Sequence, residues 1–164
     1  MTASHCFLVD EMLTNLAHWL RAAGYDTELA ESGVADRELI KLARVDKRWL
    51  LTRDHKMVEF RQATDNVILF RSQSLEGYVQ QLNHDLAIHW LYNPLSRCMM
   101  CNTLIEPAAD AHWRRVPENS RQYIKTLYWC PGCDRVYWEG SHSRQIRQRL
   151  QDWSQQASDN SENV

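Results

Sequence analysis

The sequence predicts an α/β fold: a three-layer α/β/α domain with a mostly parallel sheet, then a small cysteine-rich module and a C-terminal helix. The first observation is that apolar runs alternate with segments of helical periodicity across residues 5–91, the order typical of βαβ units. The second is that this alternation stops at Asn93-Pro94, where cysteine, tryptophan and arginine become frequent. Because βαβ crossovers are right-handed, the helices should cover both faces of the sheet.

Four apolar runs predict the strands of the sheet. They are residues 5–9, 25–30, 48–52 and 66–70. Apolar residues at helical spacing predict four helices. These helices are residues 13–24, 35–46, 55–63 and 74–91, of which the last is long and amphipathic. Gly24 suits the end of the first helix, and Asp36 stands at the expected N-cap of the second.

The change in pattern predicts three regions along the chain. Residues 1–92 form the α/β domain, and residues 93–153 combine the cysteine-rich module with a basic helix at 142–153. Residues 154–164 are polar and have no apolar anchor, so we expect a disordered tail.

The composition argues against a membrane or secreted protein. Hydrophobic residues make up 44% and charged residues 24% of the chain, as in soluble globular domains. No apolar run approaches the ~20 residues that span a bilayer, and the N-terminus lacks the basic start of a secretory signal. We therefore expect a cytoplasmic protein, in which paired cysteines bind metal rather than form disulfides.

The charge distribution divides the chain into an acidic front half and a basic back half. The net charge is only −2, but residues 1–91 hold 10 basic and 13 acidic residues, whereas residues 111–151 hold 8 basic and 3 acidic ones. This asymmetry fits a protein in which one part holds cations and the other contacts phosphates.

Four of the five cysteines have the spacing of a zinc ribbon, C-x2-C-x28-C-x2-C. They are Cys98, Cys101, Cys130 and Cys133. Two residues between cysteines allow both thiolates to reach one ion, and two such turns complete a tetrahedral Zn2+ site with Zn–S bonds of ~2.3 Å. Four protein ligands leave no open position, so the zinc should be structural. A redox pair or unrelated thiols are the alternatives, and Cys6 is expected to be a buried apolar residue.

Three aspartates stand at βα junctions of the predicted sheet. Asp10 and Asp54 follow the first and third strands, and Asp36 opens the helix after the second. Because ligands bind beyond the carboxyl ends of parallel strands, these carboxylates would converge on one edge. Oxygen ligands of this kind suit Mg2+ or Mn2+, which can activate water against a phosphodiester. Alternatively, each aspartate is only a helix cap.

Several stretches of the chain resemble the PIN-like ribonucleases of the Mut-seven C-terminal RNase domain type, in which a PIN-like domain precedes a zinc ribbon. The stretches are VDEML, LAHWLRAAGYDTE, ADRELIKLA, LLTRDHKM, PLSRCMMCN and WCPGCDRVYWEGSH. They occur in the same order as in that family and cover about residues 5–150. The resemblance implies a PIN-like nuclease domain at 1–92 that cleaves RNA with acidic residues and a divalent ion.

Carried over by position, the resemblance implies that Asp10, Asp36 and Asp54 are the catalytic, metal-binding acids. PIN nucleases often have a fourth acid after the next strand, and NVILFRSQS offers none. The nearest acids are Asp65 before that strand and Glu76 beyond it. This departure puts a second metal ion in doubt.

Other polar residues are candidates for binding the RNA substrate. Arg21, Arg53 and Arg97 could each hold a phosphate or pair with a carboxylate. Ser141 and His142, which match the family's GSH, could contact a phosphate at a helix N-terminus, or serve as an N-cap and a docking contact. Aromatic and basic residues of the ribbon could stack bases and follow phosphates, although half or more of the aromatics should be core.

Two functions of different classes fit these patterns. The first is a metal-dependent ribonuclease whose zinc ribbon helps to bind RNA. The second is a non-catalytic RNA- or protein-binding adaptor in which the PIN-like domain is vestigial. Retention of all three aspartates favours the enzyme, whereas the missing fourth acid favours the adaptor.

Overall fold

The computed structural model describes residues 5–60 and 65–162, with side chains as far as residue 159. The α/β part contains the strands β1 (Phe7–Val9), β2 (Thr27–Leu29), β3 (Trp49–Thr52) and β4 (Val67–Leu69). These strands form one parallel sheet in the order β2-β1-β3-β4. The prediction of a parallel sheet is confirmed, and the carboxyl ends of its strands share one edge.

Helices cover both faces of this sheet, which confirms the three-layer arrangement. The helices are α1 (Thr14–Ala22), α2 (Asp36–Val45) and α3 (Leu75–Leu86). Phe7 and Val9 of β1 join the core under α1 and α3, whereas Leu8 joins the core under α2. Successive side chains of a strand point to opposite faces, so β1, β3 and β4 each contribute residues to both cores.

The cysteine-rich module has a small antiparallel sheet of its own. Its elements are β5 (Glu106–Pro107), a 3₁₀ helix (Asp110–Arg115), α4 (Glu118–Arg121), β6 (Leu127–Trp129) and β7 (Val136–Trp138). Strand β6 pairs with both β5 and β7. The long spacer between the two cysteine pairs therefore holds strands β5 and β6 and two short helical turns.

Helix α5 (Ser141–Glu162) closes the core of the α/β part. Its residues Ile146, Leu150 and Trp153 are buried there. The Trp153 ring lies 4.9 Å from Trp19 and 5.0 Å from Trp90 between centroids. The predicted helix end at residue 153 was too early, because the following residues include no glycine or proline to stop the helix. The division of the chain into domains stays a prediction.

Two other predicted helices end earlier than expected. Helix α3 stops at Leu86 because Ala87 adopts a left-handed conformation with φ +49°. The chain then turns back, and the Trp90 indole donates a hydrogen bond to the side chain of Asn83 (2.7 Å). The predicted helix at 55–63 is a 3₁₀ helix over His55–Glu59, and part of that prediction lies outside the described residues. No helix in the described ranges is long and apolar enough to cross a membrane.

The segment before the first cysteine is hydrogen-bonded to the end of helix α1. The main-chain N–H groups of Asn93 and Leu95 donate to the carbonyls of Ala23 and Ala22 (3.0 and 2.7 Å). Gly24 makes this approach possible, since a Cβ there would lie 2.3 Å from the Asn93 carbonyl oxygen and its φ is +100°. This contact lies at the amino edge of the sheet, where α1 ends and β2 begins.

Asn102 joins the first cysteine turn to strand β2. Its side-chain oxygen accepts a hydrogen bond from the Thr27 N–H (2.9 Å), and its amide group donates to Asp26 (2.7 Å). Arg48 donates to both oxygens of the same carboxylate (3.1 Å each). Burial alone would raise the pKa of Asp26, but these hydrogen bonds outweigh burial and hold the pKa below its ordinary value. Asp26 therefore carries a negative charge in this contact, where its carboxylate accepts hydrogen bonds from both Arg48 and Asn102.

We expect Asn102→Ala to destabilise the protein by roughly 2–4 kcal/mol, because it leaves the Thr27 N–H without a partner and puts alanine at φ +71°. Asn119→Ala, on the exposed α4, is the matched control and should change the free energy of unfolding by less than about 0.5 kcal/mol. Urea unfolding measures both. Equal midpoints for Asn102→Ala and the unmodified protein would contradict the anchoring role.

Candidate functional site

The four predicted zinc ligands form one cluster. The sulfur atoms of Cys98, Cys101, Cys130 and Cys133 lie within 4.8 Å of one another. Two of these distances are 3.5 Å, between Cys98 and Cys133, and 3.4 Å, between Cys101 and Cys130. Sulfur atoms around a tetrahedral Zn2+ with ~2.3 Å bonds would be about 3.8 Å apart. The donor set and its spacing therefore fit zinc, and all four thiols are free.

Both cysteine pairs adopt the same turn. The residue after the second cysteine has a positive φ in each turn, +71° at Asn102 and +64° at Asp134. Its N–H donates to the carbonyl of the first cysteine (2.9 and 2.8 Å). Asparagine and aspartate tolerate this left-handed conformation better than most residues. The repeated geometry explains how both thiols of each pair point to a common centre.

Gly132 allows the two turns to approach each other. A Cβ at this position would lie 2.3 Å from the Thr103 hydroxyl oxygen and 3.2 Å from the Cys101 sulfur. The glycine of the CPGC sequence is therefore required by packing between the two halves of the cluster.

The surroundings of the cluster shift the pKa values of its thiols in different directions. Burial opposes ionisation of Cys101, but hydrogen bonds with Thr103 and neighbouring thiols outweigh burial and lower its pKa to about 6. Burial raises the pKa of Cys130 to about 12. Burial also raises the pKa of Tyr137, whose hydroxyl lies 2.9 Å from the Cys98 sulfur. The shifts at Cys101 and Cys130 have opposite directions in part because their sulfur atoms are 3.4 Å apart, so that one thiolate accepts a hydrogen bond from the other thiol.

At the carboxyl edge of the sheet, Thr52 connects two of the predicted acids. Its hydroxyl donates to the Asp10 carboxylate (2.9 Å) and accepts from the N–H of Asp54 (3.0 Å). Asp10 is only 8% exposed, and Thr52 is the one hydrogen-bond donor to its carboxylate among the described residues. Thr52 was not among the predicted site residues, because its place as the last residue of β3, two positions before Asp54, does not reveal the contact with Asp10.

The position of Asp36 differs from the prediction. It is the first helical residue of α2, and the N-cap is Ala35, whose backbone is still extended. Within the described parts of the chain, the cysteines are the one group of three or more possible ligands whose atoms lie within 4.8 Å. Asp10, Asp36 and Asp54 therefore do not approach one another so closely. Their convergence on one ion stays a prediction.

The alternative role of these aspartates as helix caps applies to one of them. The Asp54 side chain accepts a hydrogen bond from the N–H of Lys56 (2.9 Å) and caps the following 3₁₀ helix. The side chains of Asp10 and Asp36 make no such capping bond. Helix capping therefore accounts for part of the role of Asp54, but it does not account for the buried carboxylate of Asp10.

Two of the three arginines predicted to bind substrate donate hydrogen bonds to main-chain carbonyls of the protein instead. Arg21 is 4% exposed and donates to the carbonyls of Thr27, Met99 and Met100. Arg97 donates to the carbonyls of Gly24 and Asn102. Arg21 lies in the last turn of α1, at the amino edge of the sheet and not at the carboxyl edge. Substrate binding by Arg21 and Arg97 stays a prediction. Both arginines hold the first cysteine turn in place.

Arg53 is the exception among these arginines. It lies at the carboxyl edge, between Thr52 and Asp54, and donates one hydrogen bond to the Tyr78 hydroxyl (3.1 Å). It is half-buried and forms no ion pair within the described ranges. Most of its N–H groups are therefore available to a bound anion.

The GSH sequence does not cap helix α5 in the predicted way. Ser141 and His142 are exposed, and the helix begins at Ser141 itself. Ser143 makes the local hydrogen bonds instead, because its hydroxyl accepts from the Gly140 N–H (2.9 Å) and donates to the Gly140 carbonyl (3.0 Å). A phosphate contact by Ser141 or His142 stays a prediction.

Glu76, one of the two acids nearest to the expected fourth position, has a structural partner. It pairs with Arg149 and accepts a hydrogen bond from the Trp153 indole (2.7 Å). Arg149 also lies over the rings of Trp19 and Trp153. Glu76 of helix α3 therefore binds helix α5 through one ion pair and one hydrogen bond.

The aromatic residues of the cysteine-rich module divide into packed and exposed sets. The Trp129 ring stacks on His112 at 4.4 Å, and its indole N–H donates to Asp134 (2.7 Å). Tyr123 and Tyr128 are exposed, at 77% and 39%. The other four aromatic residues are partly buried and none is fully buried, so the expectation that half or more of the aromatics are core is not met: they are Trp113, Trp129, Tyr137 and Trp138.

Comparison with known protein families shows which family this chain resembles. The model of the family described as the Mut7-C RNAse domain matches residues 5–150, which include the parallel sheet and the four-cysteine cluster. No curated protein and no solved structure matches the chain significantly. The match spans most of the sequence, and the chain therefore belongs to the Mut7-C RNAse domain family.

Proposed function

We propose that this protein is a metal-dependent ribonuclease whose chemistry takes place at the carboxyl edge of the parallel sheet. The proposal depends on family membership together with one observation, the Asp10–Thr52–Asp54 arrangement at that edge. Buried carboxylates are costly unless a cation or hydrogen bonds compensate them. Asp10 has one hydrogen bond, so a cation would complete its environment.

The residues at this edge have distinct roles in the proposal. Asp10 and Asp54, joined by Asp36, would hold Mg2+ or Mn2+, which in such sites activates water and neutralises charge on a phosphodiester. The Thr52 hydroxyl orients the Asp10 carboxylate. Arg53, held by Tyr78, offers its free N–H groups to a phosphate oxygen of the RNA.

The cysteine cluster would hold a structural Zn2+. Four sulfur ligands leave no coordination position for substrate, and the cluster is attached to the amino edge, away from the acids. The surrounding module would contact RNA through Tyr123, Tyr128 and nearby arginines, because exposed aromatic rings stack on unpaired bases.

A second candidate is a non-catalytic RNA- or protein-binding adaptor. Two observations favour it: the three aspartates lie outside the 4.8 Å spacing found for the cysteines, and Glu76 is paired with Arg149. The adaptor keeps the zinc module and its exposed aromatics but needs no metal at the carboxyl edge.

Asp10→Asn and Asp54→Asn should each reduce Mg2+- or Mn2+-dependent cleavage of labelled RNA on the order of 100-fold, the scale of losing one electrostatic group in an active site. Asp85→Asn, an exposed aspartate on α3, is the matched control and should cleave normally. All three variants should retain zinc. Equal cleavage by the unmodified protein and both edge variants would exclude the enzyme and favour the adaptor.

One equivalent of zinc per chain is expected by elemental analysis of the purified protein. Cys130→Ser should lose it and unfold the module, because metal binding contributes folding free energy in small zinc sites. Cys6→Ser is the control and should bind zinc normally. A zinc-free protein with a redox-active CPGC pair would overturn the assignment.

Tyr78→Phe should raise the KM for RNA by about threefold to tenfold, because one hydrogen bond that orients Arg53 is lost. The ring should stay packed on Phe70, whose centroid is 4.7 Å away. Tyr92→Phe, at an exposed ring, is the matched control. An unchanged KM in Tyr78→Phe would remove Arg53 from the substrate site.

A further inference from the structure

Helix α2 carries three basic residues along one flank. Arg37, Lys41 and Arg44 are spaced by four and three residues, so they lie within about 60° of one another around the helix axis and extend over about 10 Å. All three are exposed. We refer to these three residues as the α2 basic flank.

The cations of this flank are not neutralised by acidic side chains of the described residues. No ion pair joins any of the three to another residue in the described parts of the chain. The contrast with Arg48 is clear, since Arg48 is held by Asp26 and lies near Glu28. The acidic half of the chain thus contains a row of positive charges that have no ion-pair partner in the described ranges.

The α2 basic flank lines an open groove. The groove has a volume of about 990 Å³ and lies between α2 and the end of the 3₁₀ helix His55–Glu59. Phe60 forms part of its wall, and the Arg37 guanidinium lies over the Phe60 ring, 5.5 Å from its centroid. Glu38 and Glu59 also line the groove, so the cations outnumber the carboxylates by three to two.

A second groove continues from the first. It has a volume of about 300 Å³ and shares Arg44 with the first groove. Lys47 adds a cation to its lining, and Asp65 adds a carboxylate. The basic surface therefore extends from the start of α2 past its C-terminal end, toward the amino edge of the sheet.

One end of the first groove lies next to a predicted catalytic acid. Arg37, in the groove lining, directly follows Asp36, the first residue of α2. On the other wall, Glu59 is the last residue of the 3₁₀ helix that Asp54 caps. A chain lying in the groove would thus approach the carboxyl edge of the sheet at its Arg37 end. The partner must be negatively charged along its length, to match a row of cations, and must present flat groups to an aromatic wall. A single-stranded RNA has both properties.

We propose that the α2 basic flank binds the phosphates of single-stranded RNA and guides the strand to the carboxylate edge. This inference rests on the proposed ribonuclease function and adds the path by which its substrate enters. It assigns RNA contact to the first half of the chain, which has a net negative charge, and not to the basic second half alone.

The test measures RNA binding without cleavage. Asp10→Asn protein is titrated into a fluorescent twelve-nucleotide oligouridylate at several salt concentrations, in the presence of Mg2+. The triple substitution Arg37→Gln, Lys41→Gln and Arg44→Gln should weaken binding at least tenfold at low salt. It should also reduce the slope of log K against log salt by about 2, since each phosphate contact with a single strand contributes about 0.7.

Two control variants separate charge from folding. Arg37→Lys combined with Arg44→Lys keeps the charges and should retain the salt slope. Glu38→Gln removes a carboxylate from the same helix and should tighten binding. Thermal unfolding of each variant shows whether the fold is intact. A folded triple variant with unchanged affinity and slope would overturn the inference.

The outcomes distinguish this inference from the proposed function. If the unmodified protein cleaves RNA and the triple variant binds as well as its parent, only the α2 path is wrong. If the unmodified protein neither binds nor cleaves RNA, both proposals fail. If the triple substitution instead abolishes capture of an acidic protein while RNA binding is unaffected, the flank is a protein-binding surface and the inference is wrong.

Discussion

The attachment of the first cysteine turn to the amino edge of the sheet is the constraint on which the rest of the structure depends. Arg21 donates to the main-chain carbonyls of Met99 and Met100 across this contact, and Asn102 joins the turn to β2 and to Asp26. Buried polar groups without partners would cost about 1–3 kcal/mol each. Each half of the contact therefore needs the other, and the two parts of the chain form one interdependent structure.

This attachment puts the cysteine cluster and the predicted catalytic acids at opposite ends of the strands. The cysteine cluster is attached where the strands begin, and Asp10 and Asp54 lie where they end. Three or four residues of strand span about 10–13 Å. The cysteine cluster therefore lies beside one edge of the sheet, and the proposed nuclease site lies at the other. In our second proposal, the groove beside α2 is a basic path toward that second edge.

Helix α5 shows that the order of segments along the chain differs from their grouping in space. It follows the cysteine-rich module in sequence, yet Ile146, Leu150 and Trp153 complete the core of the parallel sheet domain. Glu76 binds this helix through Arg149 and the Trp153 indole. An acid near the expected position of a fourth catalytic carboxylate thus serves the packing of the last helix. The nuclease proposal therefore relies on the three aspartates carried over from the family.

Local pattern determined the elements of this protein, because strand and helix periodicity and the C-x2-C spacing are properties of neighbouring residues. The parallel sheet, its three layers and the four-cysteine cluster were predictable in this way. Tertiary structure alone decided which polar groups meet across the chain. Arg21 has the same sequence features whether it holds a phosphate or a carbonyl, and Thr52 gives no sign of its contact with Asp10. Such contacts join residues that are 42 to 79 positions apart, and their partners are set by the packing of whole elements, which no local pattern records.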